Sequence, residues 1–112
     1  TLFISSDIEN IDHIFSKKQE VNLYRIVQES LNNIIKHAKA EAGKVTIKRT
    51  IDAIILEIKD NGIGFDFSEE YQNVQSLGLK TLLERTKFLK GQMKVTSKKN
   101  EGTTLSFKFP TV

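Results

Sequence analysis

The chain predicts an α+β fold, one sheet with its helices packed on a single face as a two-layer sandwich. Three observations carry this reading. Five short segments read as strands, three of them with apolar residues at a period of two, and apolar residues recur at steps of three and four in two longer segments. Those segments follow one another as β-α-β-β-loop-α-β-β, strands interrupted by helices that must all cover the same sheet. At 112 residues there is room for one modest core and no second one, so 1–112 is read as a single domain.

Each element has its own signal. Leu2 to Asp7 is a short strand, followed by an irregular link through Asn10 to His13. Ser16 and Gln19 have the spacing of a capping box, which starts a helix near Lys17. From Val21 to Lys39 the pattern is helical, with Tyr24, Val27, Leu31, Ile34, Ile35 and Ala38 as the inward set and Gly43 as the stop. Two strands, Lys44 to Thr50 and Ala53 to Lys59, bend at Ile51-Asp52. In the second, Ile54, Leu56 and Ile58 share one face while Ile55, Glu57 and Lys59 share the other. Phe65 to Gln75 has no period and is rich in acids and amides, a loop long enough to act as a lid over about 66–76. A second helix runs from about Leu77 to Lys90, with Leu79, Leu82, Leu83 and Leu89 inward and Gly91 as its stop. A closing hairpin alternates Met93 and Val95 with Lys94 and Thr96, turns at Asn100-Glu101-Gly102, and returns through Leu105, Phe107 and Phe109.

Composition narrows the function class. Seventeen Lys plus Arg against fourteen acids leaves +3, enough to favour a nucleotide polyanion and too little to argue for nucleic acid. No apolar stretch approaches the roughly 18 residues that span a bilayer, and no signal-peptide pattern opens the chain. The absence of cysteine removes disulfides and thiolate metal sites and fits a reducing, cytoplasmic setting. With strand from its first residues and no tail at either end, the chain is expected to be a piece of a longer protein. Lys87, Lys90, Lys94, Lys98 and Lys99 make a loose basic set, read mainly as solvated surface.

Two stretches carry chemistry. Asp60-Asn61-Gly62-Ile63-Gly64-Phe65 ends an apolar strand with an acid and two glycines, so backbone can approach a flat ligand while the carboxylate accepts from its amine. Adenine offers such an amine. On the first helix, at about 100° per residue, Glu29, Asn33, Lys36 and His37 fall in one stripe, supplying a carboxylate, an amide oxygen suited to Mg²⁺, an ammonium and an imidazole. Asp-Asn-Gly is also a common hairpin turn, and a polar stripe is also what an amphipathic helix shows to water. The residues alone leave both open.

Taken together, these motifs resemble the ATP-binding catalytic domain of bacterial sensor histidine kinases, in the ATPase superfamily shared with gyrase and MutL. Glu29-x3-Asn33-x2-Lys36-His37 is similar to that family's N box, and Asp60 to Gly64 to its first glycine box. Ser76-Leu77-Gly78-Leu79 is similar to the second glycine box, and Gly102-Thr103-Thr104-Leu105 to the closing Gly-Thr motif. Asn22 to Glu29 and the later Glu84-Arg85 point to the subfamily whose N box starts with Glu, with NarL/LuxR-type regulator partners.

The resemblance implies a Bergerat fold, a mixed, mostly antiparallel sheet against helices, with ATP and Mg²⁺ between the helices and the lid. It implies that Asp60 takes the adenine amine, that Gly62, Ile63 and Gly64 pass the base along backbone, and that Asn33 ligates Mg²⁺. Lys36 and His37 fall near phosphates or ribose, and Leu77, Gly78 and Leu79 at the lid's hinge. Thr103 supports the adenine corner, Thr104 more weakly, and Glu29 acts near the γ-phosphate. The activity implied is transfer of the γ-phosphoryl to a histidine on a separate dimerisation domain of the same protein, for relay to a response regulator. The isolated domain would be a monomer and the full protein a homodimer with any membrane anchor upstream. Two features depart from the pattern. Gly78 is the lone glycine of the second box, and neither His13 nor His37 reads as the phosphate acceptor. A regulatory platform of the same fold and a serine kinase of the anti-sigma type are the alternatives.

Overall fold

The computed structural model describes residues 2–64 and 78–111; the lid expected over 66–76, with Phe65 and Leu77 at its ends, lies outside the described residues. Five strands, β1 (Phe3–Ile8), β2 (Ala42–Arg49), β3 (Ala53–Asp60), β4 (Gln92–Ser97) and β5 (Thr103–Pro110), form one sheet in the order β1-β2-β3-β5-β4. Only β1 and β2 run parallel; the other neighbours are antiparallel. The helix α1 (Lys17–Asn33) between β1 and β2 makes the crossover that a parallel pair requires. The remaining pairs are hairpins or, for β3 with β5, are joined through α2 (Leu79–Phe88) and β4.

Strand alternation puts the core on one face of the sheet. Val45, Ile47, Ile54, Leu56, Ile58, Leu105, Phe107 and Phe109 point to the helices and are buried, each worth about 1.5–3 kcal/mol for a fully covered large side chain. Phe107 and Phe109, two residues apart on β5, stack at 6.1 Å between ring centroids. The helices answer with Leu23, Ile26 and Ile34 from the first and Leu79, Leu82 and Leu89 from the second. The mixed sheet with helices on one face is the α+β sandwich expected.

Helix entry follows the predicted capping box: Ser16 Oγ accepts from Gln19 N–H at 3.2 Å, and Gln19 Oε1 accepts from Ser16 N–H at 2.8 Å. The inward face of α1 is rotated from the one expected. Leu23, Ile26 and Ser30 are buried, whereas Tyr24 and Ile35 are 63% and 65% exposed. Ser30, polar in sequence, satisfies its hydroxyl on Ile26 O at 2.7 Å and so takes a core position. Periodicity counted only apolar residues and therefore slid the stripe past it. Leu83 is likewise exposed, its place on the inner face taken by Thr86, whose hydroxyl bonds Leu82 O at 2.7 Å.

Both helix ends differ from the sequence reading. Gly43 lies inside β2; the first helix ends in a π turn, Ile34–Ala38, stopped by Lys39 in the left-handed region at φ 49°. Around the end of α2 the residue with left-handed φ is Lys90, at 58°, while Gly91 N–H reaches Thr86 O at 2.9 Å and Lys90 N–H reaches Lys87 O at 2.9 Å. That pair of bonds is a Schellman stop. The expected basic set is split by the two layers: Lys87 and Lys90 belong to the helical side, whereas Lys94 pairs with Ser106 on the outer face of the sheet.

Candidate functional site

Asp60 is the last residue of β3 and faces the helices, in line with Ile54, Leu56 and Ile58. Only 6% of it is exposed. Its Oδ1 accepts from Gly62 N–H at 2.8 Å. Burial pushes the carboxyl above its ordinary value, and the backbone N–H groups of Gly62 and Thr103 pull it part of the way back. A carboxylate kept from water in this way gains from any further donor that reaches it.

The loop after Asp60 is wedged between two other backbones. Ile63 N–H donates to Ala38 O at 2.7 Å, and Asn61 Oδ1 accepts from Glu41 and Ala42 N–H at 3.0 and 2.9 Å. A Cβ on Gly62 would lie 2.0 Å from Ala38 O, so only glycine lets the strand end touch the π turn. Gly64, at φ 59°, stands equally close to Lys98 O on the other side. The two glycines thus draw the end of the first helix and the β4–β5 turn close to the strand end that carries Asp60. Thr103 sits opposite Asp60 in the β3–β5 register and shares its face, with its hydroxyl 2.8 Å from Ser97 Oγ. Thr104 pairs with Lys59 and points to the opposite side of the sheet, away from Asp60.

The second half of the site lies where α1 meets α2. Gly78 caps α2 in the left-handed region at φ 71°, and a Cβ placed there would lie 3.9 Å from Asn33 Oδ1. An amide oxygen and the start of a helix, whose first N–H groups lack intrahelical partners, are therefore neighbours. Leu79, the next residue, is buried and anchors that start in the core. Lys36 is exposed on the π turn, where the wider winding breaks the 100° count that had aligned it with Glu29. The backbone of His37 belongs to the same turn; its side chain, like Leu77, lies outside the described residues.

Glu29, one turn before Asn33, is held from the other helix. Its Oε1 accepts from Arg85 Nε at 3.2 Å, and Oε2 is buried with no hydrogen-bond partner among the described residues. The structure therefore brings together Asp60, Gly62, Ile63, Gly64 and Thr103 at the sheet end, and Glu29, Asn33, Gly78 and Leu79 at the helix pair. Sequence reasoning did not find the roles of Arg85, Asn61 and Ser97 in holding these groups. Their bonds reach 56 positions back for Arg85 and 19–20 for Asn61, distances that local patterning does not read.

The chain belongs to the family described as histidine kinase-, DNA gyrase B- and HSP90-like ATPases, whose model it matches over residues 18–112. It is 42% identical over 86% of its length to the signal transduction histidine-protein kinase/phosphatase DegS of Brevibacillus brevis, and covers 24% of that protein. Among solved structures, the Erythrobacter litoralis EL346 blue-light activated histidine kinase superposes with a TM-score of 0.84, over 97% of this chain and 35% of that one, at 17% identity. Full-length ShkA in complex with AMPPNP gives 0.80 over 97% of this chain and 25% of that one, at 18% identity. The fold is that of histidine kinase catalytic domains, and the relatives in sequence are bacterial sensor kinases. The chain spans about a quarter of the relative it matches at 42%.

Proposed function

We propose that this domain binds ATP with Mg²⁺ and donates the γ-phosphoryl to a histidine on a separate helical domain of the same protein, for relay to a response regulator. The observation that carries the proposal is the pairing of a buried acid, Asp60, at the sheet end with Asn33 beside Gly78 at the helix pair. Asp60 accepts from the adenine amine, while Gly62, Ile63 and Gly64 bring backbone to the base and Thr103 supports the corner. Asn33 Oδ1 suits a hard cation that prefers oxygen, Lys36 supplies positive charge, and both Lys36 and His37 fall near phosphates or ribose. The metal ion, when bound, neutralises phosphate charge. Gly78 and Leu79 open α2, whose N-terminus favours anions, and Leu77 precedes them in the sequence at the proposed hinge. Phosphoryl transfer asks mainly for positioning and charge neutralisation, and these residues offer both.

The test has two steps. Titration of the domain with ATP and Mg²⁺ should give saturable binding that Asp60→Asn abolishes and that chelation of the metal weakens. Mixing the ATP-loaded domain with a phosphoacceptor helical domain should then yield acid-labile phosphate on the acceptor. Binding without such transfer would mark a regulatory platform in place of a kinase.

A further inference from the structure

Both helices cover one face of the sheet, and neither covers the other. Strand alternation turns Lys44 and Lys48 of β2, Lys59 of β3, Lys108 of β5 and Lys94 of β4 to that outer face, and all five are exposed. Asp7 of β1 and Glu57 of β3 are the acids that share it. Five lysines against two acids leave three positive charges, the whole formal excess of the chain. That excess is gathered on one side of a two-layer molecule.

The sheet makes no use of these charges for its own stability. Lys44 stands directly opposite Lys59, where like charges destabilise the pair. Glu57 stands between Thr46 and Ser106, and Asp7 beside Thr46, so neither acid opposes a lysine. Among the described residues none of the five ammonium groups is paired with a carboxylate. Neighbouring strands are about 4.8 Å apart and the Debye length at physiological salt is about 8 Å, so these groups add to one field.

We propose that the outer sheet face docks this domain, peripherally, on an anionic phospholipid surface. Composition separates a lipid partner from a protein one. Protein interfaces are depleted of lysine and built on Trp, Tyr and Arg anchors, and none of those three anchors faces outward from these strands. Lysine is a compact charge on a flexible stem, which suits headgroup phosphates spread over a surface without fixed geometry. Two apolar side chains stand at the rim. Phe3 points to the same face from the edge strand β1 and is 72% exposed; Ile51, at the β2–β3 bend, is 98% exposed. Side chains of this kind enter the headgroup boundary while the lysines meet its charge. In this pose Asp60 and the helix pair are turned away from the lipid.

Co-sedimentation of the chain with phosphatidylcholine vesicles, with and without phosphatidylserine, tests this across a range of salt. Binding should require phosphatidylserine and weaken as salt rises. Lys44→Gln with Lys59→Gln should weaken it by on the order of tenfold or more, as should Lys48→Gln with Lys108→Gln. The first variant relieves a like-charge contact, so its Tm should not fall below that of the unaltered chain, which separates lost binding from lost folding. Lys87→Gln with Lys90→Gln, on the helical layer, should stay within about twofold. No sedimentation with phosphatidylserine vesicles at low salt would overturn the inference. So would sheet variants that bind within about twofold of the unaltered chain, or an equal loss in the Lys87 and Lys90 variant. Tighter binding to polyglutamate or duplex DNA than to these vesicles at the same salt would overturn it in favour of an acidic protein or a nucleic acid. None of these measurements involves ATP, so failure here leaves the nucleotide reading standing.

Discussion

Asp60 is where the proposed recognition of ATP and the stability of the fold pull against each other. Folding buries its carboxyl and holds its pKa above 3.8, so the native state takes up a proton more readily than the unfolded chain. The sign follows from linkage: this group's contribution to stability is greatest at low pH and is lost as pH rises through the raised folded value. At neutral pH the buried charge is a cost to stability, which the proposed contact with the adenine amine would offset on binding. Asp60→Asn keeps an oxygen for the Gly62 N–H and removes that charge, so its Tm at pH 7 should equal or exceed that of the unaltered chain while ATP binding is lost. The Tm advantage should shrink as pH falls, which melting curves across pH would show. ATP affinity of the unaltered domain should weaken on acidification from a pH above the usual carboxylate range. At the other end of the site, Asn33→Ala should weaken Mg-ATP more than adenosine, and equal losses in calorimetry would argue against a metal ligand at Asn33.

Elements show where local sequence suffices and where it does not. The capping box at Ser16 and Gln19 was legible because both partners lie within four residues, and both bonds form. Ser16→Ala should cost about 1 kcal/mol, a drop of roughly 4–8 °C in Tm for a domain near this size. The strand alternation of Ile54, Leu56, Ile58, Leu105, Phe107 and Phe109 was legible for the same reason, since a period of two needs no partner to be seen. Less legible was the rotation of α1. Ser30 and Thr86 enter the core by bonding a carbonyl one turn back, which apolar counting cannot anticipate. Nor does composition announce the π turn at Ile34–Ala38, whose end meets Gly62. Gly62→Ala should therefore destabilise by roughly 1–3 kcal/mol through its clash with Ala38 O, in contrast to a surface glycine, and chemical denaturation would measure it.

In the whole molecule, the sheet order gathers residues that the sequence scatters. β3 lies at the centre between β2 and β5, so its C-terminal Asp60 meets Gly43 on one side and Thr103 on the other. Motif order revealed which stretches converge, but only the register showed that Thr103 faces Asp60 and that Thr104 does not. The same layering divides Lys94 from Lys87 and Lys90, so the loose basic set is spread over both layers. Among the described residues no helix is long and apolar enough to cross a membrane. The two halves of the site, sheet end and helix pair, are one surface only if a single ligand spans them. Isothermal titration of the domain with ATP, with and without Mg²⁺, tests that most directly. One saturable site is predicted, weaker without the metal and absent in Asp60→Asn; no saturable binding, or equal binding by Asp60→Asn, would contradict the account.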